Sequence, residues 1–243
     1  MIRWSNGWIV LAAFCAACAT AQDRFVIHNE AQKIMAAPSF NLQVLTTNGV
    51  AMLPVISKTA PEGVRNDTAF EVLQAFRHNL PNVSVLPVPD TMEILRQSHL
   101  DKELKTWLSA YQAGGPVDPA LLRRIGLATA RRYLLLVEVD QYKKESKPVD
   151  VSYSSLPMTG PVKSPALSKP VAYDIFKDIK LAGRLWDSEC RSIAWEGQGR
   201  ARVIDESPNE RIRMADLFQT AVRNFISAFL GSGGMAKGDV QGC

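Results

Sequence analysis

Histidine is scarce in this chain. His28, His78 and His99 are the three in 243 residues, and no two are spaced to share a helix face. That argues against a zinc site built on histidine pairs. Cysteine is scarce too: four residues are too few to staple a chain of this length. The fold must therefore rest on an apolar core rather than a disulfide framework. A large excess of charge is missing as well. Lysine and arginine total 28 against 24 acidic residues, a net charge of +4, and the basic residues form no block. No nucleic-acid partner is expected from such a balance. No Gly-x-Ser-x-Gly elbow is present, and Thr159–Ser164 lacks the first glycine and the Gly-Lys pair of a phosphate loop. Gly197-Gln198-Gly199 precedes no helix, so it is no dinucleotide fingerprint. No cofactor is implied.

What is present begins with the leader. Arg3 is followed by an unbroken apolar run from Trp8 to Ala19. Twelve residues make about 18 Å of helix, against a bilayer core of about 30 Å. The run is too short to span, and with its small-residue exit it reads as a secretory signal peptide. Two processing patterns compete. Ala19-Thr20-Ala21 fits cleavage before Gln22, which makes the leader 1–21. Ala16-Ala17-Cys18 is similar to the bacterial lipobox, which makes the leader 1–17 and leaves Cys18 lipidated; Cys15 stands where that motif usually has leucine. Several acyl chains on one cysteine suffice for stable anchoring. Ala19, rather than aspartate, follows Cys18, and in bacterial lipoproteins that resembles the default signal for the outer membrane.

After a polar stretch from residue 18 to 48, read as a tether with an irregular strand, the pattern sharpens. Val50–Ile56 is an apolar run of strand length interrupted by Pro54, which suggests a strand buried on both faces that ends or lies at an edge. Ala69, Val72, Leu73, Phe76 and Leu80 form one helical stripe, stopped by Pro81. Val83–Leu86 reads as a short strand. Helical stretches follow from Asp90 and through Leu100, Leu104, Trp107, Leu108 and Tyr111, broken at Gly114-Gly115-Pro116. Asp118-Pro119 is a carboxylate N-cap with proline at the first helical position. Tyr133–Val139 is the most apolar strand candidate, and its place is the sheet centre. Lys143–Pro170 is rich in proline, serine and lysine and reads as a long loop. Period-two alternation from Tyr173 to Leu185 and from Ile193 to Val203, around the turn Asp187–Cys190, predicts a hairpin. Ser207-Pro208-Asn209-Glu210 reads as a capping box opening a last helix with Met214, Phe218, Val222, Phe225 and Phe229 on one stripe.

The expected fold is α/β (α+β): a mixed sheet of about five strands flanked by helices, ending in a long hairpin and an amphipathic helix. It occupies residues 49–231 as one domain with a loop insertion at 143–170, followed by a flexible tail at 232–243. Candidate chemistry is thin. Glu138 with Asp140 and Asp174 with Asp178 each share a strand face, an arrangement able to do acid–base work or to sit in salt bridges with nearby lysines. Cys190 and Cys243 either pair in an oxidising compartment or stay free thiols. Trp186 and Trp195 flank the hairpin turn, either as core anchors or as a partner surface.

The segments Val50–Ile56, Val83-Ser84-Val85-Leu86-Pro87, Leu121–Gly126 with Arg132–Val137, and the hairpin with Leu185-Trp186-Asp187 and Ile193–Gly197 carry a resemblance. Together they resemble bacterial envelope lipoproteins of the group that includes the curli-secretion channel lipoprotein, the penicillin-binding-protein activator lipoproteins and the N-terminal domain of the Tol-system propeller protein. The likeness covers about Gly49 to Gly231. It implies an α/β domain of the cell envelope and brings no catalytic residues. Ala130-Arg131-Arg132 stands where the group often has glycine before its central strand, which requires a turn without positive φ. Lys143–Pro170 lacks the alternating lipid-facing residues of a barrel strand, which counts against a channel role.

The combined expectation is a non-enzymatic, periplasm-facing outer-membrane lipoprotein. It would bind the membrane through its lipid and another envelope protein through its domain, with homo-oligomers and an export-channel subunit as the alternative, and a small enzyme using a carboxylate pair as a further one. Cys18→Ala should abolish palmitate labelling and move the protein from the membrane to the soluble fraction; continued membrane fractionation of an unlabelled variant would exclude lipid anchoring.

Overall fold

The computed structural model describes residues 27–38, 40–148, 173–206 and 212–231. The leader, Cys18, Cys243, the 149–170 part of the expected loop and the 207–210 capping box lie outside the described residues.

The elements run β1 (Ile27–Ala36), α1 (Leu42–Asn48), β2 (Val50–Met52), β3 (Ile56–Ser57), α2 (Glu62–Asn79), β4 (Val85–Leu86), α3 (Val88–Gln97), α4 (Asp101–Gln112), α5 (Pro119–Thr129), β5 (Tyr133–Pro148), β6 (Tyr173–Asp187), β7 (Ser192–Glu206) and α6 (Met214–Leu230). They build a mixed seven-stranded sheet in the order β1-β7-β6-β5-β2-β4, with β3 also paired to β5. The β2, β3 and β4 pairings are parallel, and β5, β6, β7 and β1 form an antiparallel meander.

β5 is central, as its sequence demands. Tyr133 to Val137 are all buried, and they alternate between two cores. Tyr133, Leu135, Val137 and Val139 join Val50, Met52 and Val55 on one face, under α2 and α6. Leu134 and Leu136 join Ala51, Leu53 and Ile56 on the other, under Leu95 of α3, Leu104, Trp107 and Leu108 of α4, and Leu121, Leu122 and Ile125 of α5. Pro54 has the effect its missing N–H predicts. It divides the Val50–Ile56 run into β2 and β3, both still paired with β5.

Helix ends follow local chemistry. Asp118 caps α5 by accepting from the backbone N–H groups of Ala120 and Leu121 at 3.0 Å each. Ala130 ends it at φ 49°, in the left-handed region. The turn thus adopts the positive φ that the missing glycine was expected to forbid. That conformation costs an alanine about 1 kcal/mol. It is offset by a Schellman-type closure in which Arg131 N–H donates to Gly126 O at 3.0 Å. α6 is described from Met214, and the Asp216 carboxylate accepts from the Arg213 N–H at 3.3 Å.

Two expectations need correction. Residues 27–36, expected as part of a tether with an irregular strand, form a ten-residue strand with one bulge: β1 pairs with β7 from Ile27↔Val203 to Ala36↔Trp195, with a register shift between Lys33 and Met35. Its side chains from Ile27 to Ile34 are all exposed, so the backbone ladder holds it, and hydrophobic periodicity cannot reveal it. Lys143–Pro148 likewise belong to β5, paired with β6 as far as Pro148↔Tyr173. Their charged side chains read as loop because this end of the hairpin is solvated.

α6 lies close on the meander. A Cβ on Gly199 would come within 2.1 Å of Phe225 N and 2.5 Å of Ala221 O, which are helix backbone atoms that cannot swing aside. Phe225 and Phe229 then meet Trp195 edge-on, with ring centroids 5.7 and 4.7 Å apart. Gly199→Ala should lower unfolding stability by about 1–3 kcal/mol through overpacking, read from the urea midpoint at unchanged m-value; a neutral result would show that α6 is not seated on this strand.

Candidate functional site

One member of each carboxylate pair is held in an ion pair. Asp178 is buried and receives Arg200 from β7, Nε to Oδ1 at 2.9 Å and Nη2 to Oδ2 at 2.5 Å. The same guanidinium reaches Gln141 Oε1 at 3.2 Å. Asp140 sits at a register shift in β5 and pairs with Lys180 at 2.7 Å. Glu138 is half-buried. Burial pushes its carboxyl above the usual range, Asp140 adds to that, and Lys58 and Lys180 oppose it. Asp174 and Asp178 therefore form no paired acid and base; the nearest partner of Asp178 is a cation. Among the described residues no group of His, Cys, Asp and Glu is arranged to hold a metal ion. No helix of the described residues is long and apolar enough to cross a membrane.

The tryptophans supply no partner surface. Trp186 is 5% exposed in the core under α3–α5, and Trp195 is fully buried in the core under α6. They sit on opposite faces because the register shifts beside them, from Leu185↔Trp195 to Trp186↔Ile193. Alternation alone, counted across the turn, misses this one-residue slip. His78 and His99 are exposed at helix ends, and His28 is exposed on β1.

The β6–β7 turn is held by Asp187. Its carboxylate takes Arg132 Nε at 3.0 Å and Nη2 at 2.6 Å, and also accepts from the N–H groups of Glu189 and Cys190 at 3.0 and 3.1 Å. Arg132 Nη1 also pairs with Glu189 at 2.9 Å, and Ser188 Oγ donates to Arg132 O at 2.7 Å. Cys190 Sγ accepts from Arg132 Nη2 at 3.3 Å. The turn is thereby tied to the start of β5, 55 residues earlier.

Three surface features remain. A cleft of about 710 Å³ opens beside this turn, lined by Asn48, Gly49, Ser84, Arg123, Leu127 and Arg131 among others. A smaller groove of about 230 Å³ lies between α2 and α6, with Phe70 and Phe218 beside Asp67 and Glu71. The third is β1 itself, which ends the sheet on one side. β1 spans ten residues, whereas β4 at the opposite edge has two. Ile27 and Ile34 of β1 are 38% and 52% exposed. The face of β6, β7 and β1 not covered by α6 is polar and paired across strands: Arg184 with Glu196 at 2.8 Å, and Gln198 with Glu30 at 3.5 Å, beside the Asp178–Arg200 pair.

Sequence reasoning missed the cleft and the β1 edge. The cleft joins residues from Asn48 to Glu189, so no local spacing could mark it. For the β1 edge, residues Ile27 to Ala36 carry no period-two alternation of apolar and polar side chains.

No protein-family model matches the chain, and no curated protein sequence is similar to it. Solved structures show a distant likeness of fold. A PelC dodecamer from Paraburkholderia phytofirmans is 9% identical, covering 85% of this chain and 97% of that one at a TM-score of 0.43. Lipoprotein GNA1162 from Neisseria meningitidis is 17% identical over 74% of this chain and 98% of its own, TM-score 0.43. The LpoB C-terminal domain from Salmonella enterica is 11% identical over 66% and 94%, TM-score 0.31. At these scores the likeness carries no argument about activity or assembly.

The raised Glu138 carboxyl has a consequence for stability. Its folded form binds the proton more tightly than the unfolded chain, so its contribution is fully present below the unfolded pKa of about 4.3 and is lost as pH rises through the folded value. Glu138→Gln should therefore raise the melting temperature at pH 7 and leave it unchanged at pH 4. An equal shift at both values would assign the effect to packing instead.

Proposed function

We propose that this protein is a non-catalytic, periplasm-facing lipoprotein of the outer membrane, anchored through Cys18, that docks another envelope protein along the free edge of β1. One observation supports the docking mode above the others. A ten-residue strand, exposed at every side chain from Ile27 to Ile34, is held on β7, and no strand pairs with its other edge among the described residues. Such an edge has a row of unpaired N–H and C=O groups, and proteins that keep one exposed either blunt it or use it. Lys33 and the bulge between Lys33 and Met35 interrupt indiscriminate pairing. The stretch from Ile27 to Lys33 stays regular, and Ile27 and Ile34 offer two apolar contacts at its ends. An added partner strand supplies main-chain hydrogen bonds for affinity, and alternate side chains give specificity. One carboxylate of each pair that an enzymatic reading would use, Asp178 and Asp140, is engaged by Arg200 and Lys180. A Cys190–Cys243 disulfide, which would pin residue 243 to the β6–β7 turn, is part of this reading.

The test is site-specific photo-crosslinking in cells from positions 27 and 34, with position 70 on α2 as control. Adducts from β1 alone, mapping by mass spectrometry to one extended segment of another envelope protein, are the expected result. Adducts to a second copy of this chain would replace the reading by homo-oligomerisation. No adduct, or equal adducts from position 70, would overturn it.

A further inference from the structure

The cleft beside the β6–β7 turn has a composition that neither the core nor the β1 edge explains. Three arginines line it, Arg123, Arg131 and Arg132, against one carboxylate, Glu189. Glu189 is already paired with Arg132, which Asp187 also holds. Arg123 is exposed on α5 and forms no ion pair among the described residues, whereas its neighbour Arg124 is bound to Glu103. Arg131 is set in place. Its Nη2 donates to Ser84 Oγ at 3.0 Å and its Nη1 to Ala130 O at 3.0 Å. Its Nε is buried with no acceptor among the described residues. Gly49, at φ 65°, makes room for it: a Cβ there would stand 2.7 Å from Arg131 Cδ and 2.9 Å from Nε. A guanidinium aligned by its neighbours, with donor capacity unused and no ion pair among the described residues, is prepared for an anion.

We propose that this cleft binds a phosphate ester, with Arg123 and Arg131 as its ligands. Two guanidinium groups facing one space match a group of charge near −2 with three acceptor oxygens. The volume of about 710 Å³ is larger than a bare phosphate needs and lies in the range of small-molecule sites, roughly 300–1,000 Å³. Leu127, 73% exposed on the cleft wall, offers the organic part of the ester an apolar contact. The helices that border the cleft, α1 and α5, turn their C-terminal ends to it. Their dipoles repel an anion, so attraction depends on the arginines and should vanish with them. Position also bears on the source of the ligand. The chain enters the sheet at Ile27 opposite Val203, and the cleft lies at the far, turn end of the hairpin. That is about 35 Å of strand, and the segment from Cys18 to Ile27 reaches about 30 Å at full extension. The two lengths are comparable, so a lipid headgroup and a soluble ester are both within reach of the cleft. The site is independent of the β1 edge.

Two arms test it on the mature protein, lacking only its leader: calorimetric titration with glycerol 3-phosphate, and co-sedimentation with phosphatidylglycerol vesicles against phosphatidylcholine vesicles. Wild type should bind glycerol 3-phosphate with an affinity that falls as salt rises. Arg123→Gln, on an exposed helix position, should weaken it about tenfold. Arg123→Gln/Arg131→Gln should abolish it, while Arg96→Gln, a paired arginine elsewhere, should not alter it. Binding only to phosphatidylglycerol vesicles, lost in the same variants, upholds the phosphate site and assigns a lipid source. Wild-type binding in neither arm, or unchanged binding in a folded Arg123→Gln variant, overturns the proposal.

Discussion

Everything in this molecule depends on covering one strand from both sides. Tyr133 to Val137 present buried side chains to alternate faces of the sheet without a polar gap. At roughly 2 kcal/mol per large side chain removed from water, neither face can be left open. One face takes α2 and α6, the other takes α3, α4 and α5, and the parallel neighbour β2 is apolar on both sides for the same reason. Where β5 passes Asp140 the demand ends. The register shifts there, the strand turns polar, and the face opposite α6 is left to paired charges.

The second constraint is the seating of α6. It fits against β7 only because Gly199 has no side chain, and the approach brings Phe225 and Phe229 onto Trp195. A helix this close covers the inner part of the meander completely. α6 also reaches β1, where Asn224 Nδ2 donates to Asn29 Oδ1 at 3.4 Å, and no strand pairs with the outer side of β1 among the described residues.

The polar groups divide by the same geometry. Asp178 and Arg200 are 22 positions apart yet meet because antiparallel pairing brings β6 and β7 side by side. Arg132 and Asp187 meet because β5 starts where β6 ends. Arg123 and Arg131 belong to the same stretch of chain as Arg132 but receive no carboxylate of their own. On the open sheet face Lys180, Arg184 and Arg200 each meet a carboxylate, whereas Arg123 and Arg131 in the cleft form no ion pair among the described residues.

Read alone, the amino-acid order determined the central strand, the caps at Asp118 and Pro119, the stripe of α6 and the hairpin. Each of these is a local periodicity or a stop signal, and burial acts on local periodicity directly. Tertiary structure decided the rest. It set Trp186 and Trp195 on opposite faces through a one-residue slip, and it made strands of Ile27–Ala36 and Lys143–Pro148 by backbone pairing that leaves no apolar trace. It also brought Gly49, Ser84 and Arg131 to one wall. Contacts between residues far apart in the chain depend on topology, and no spacing within the sequence encodes them.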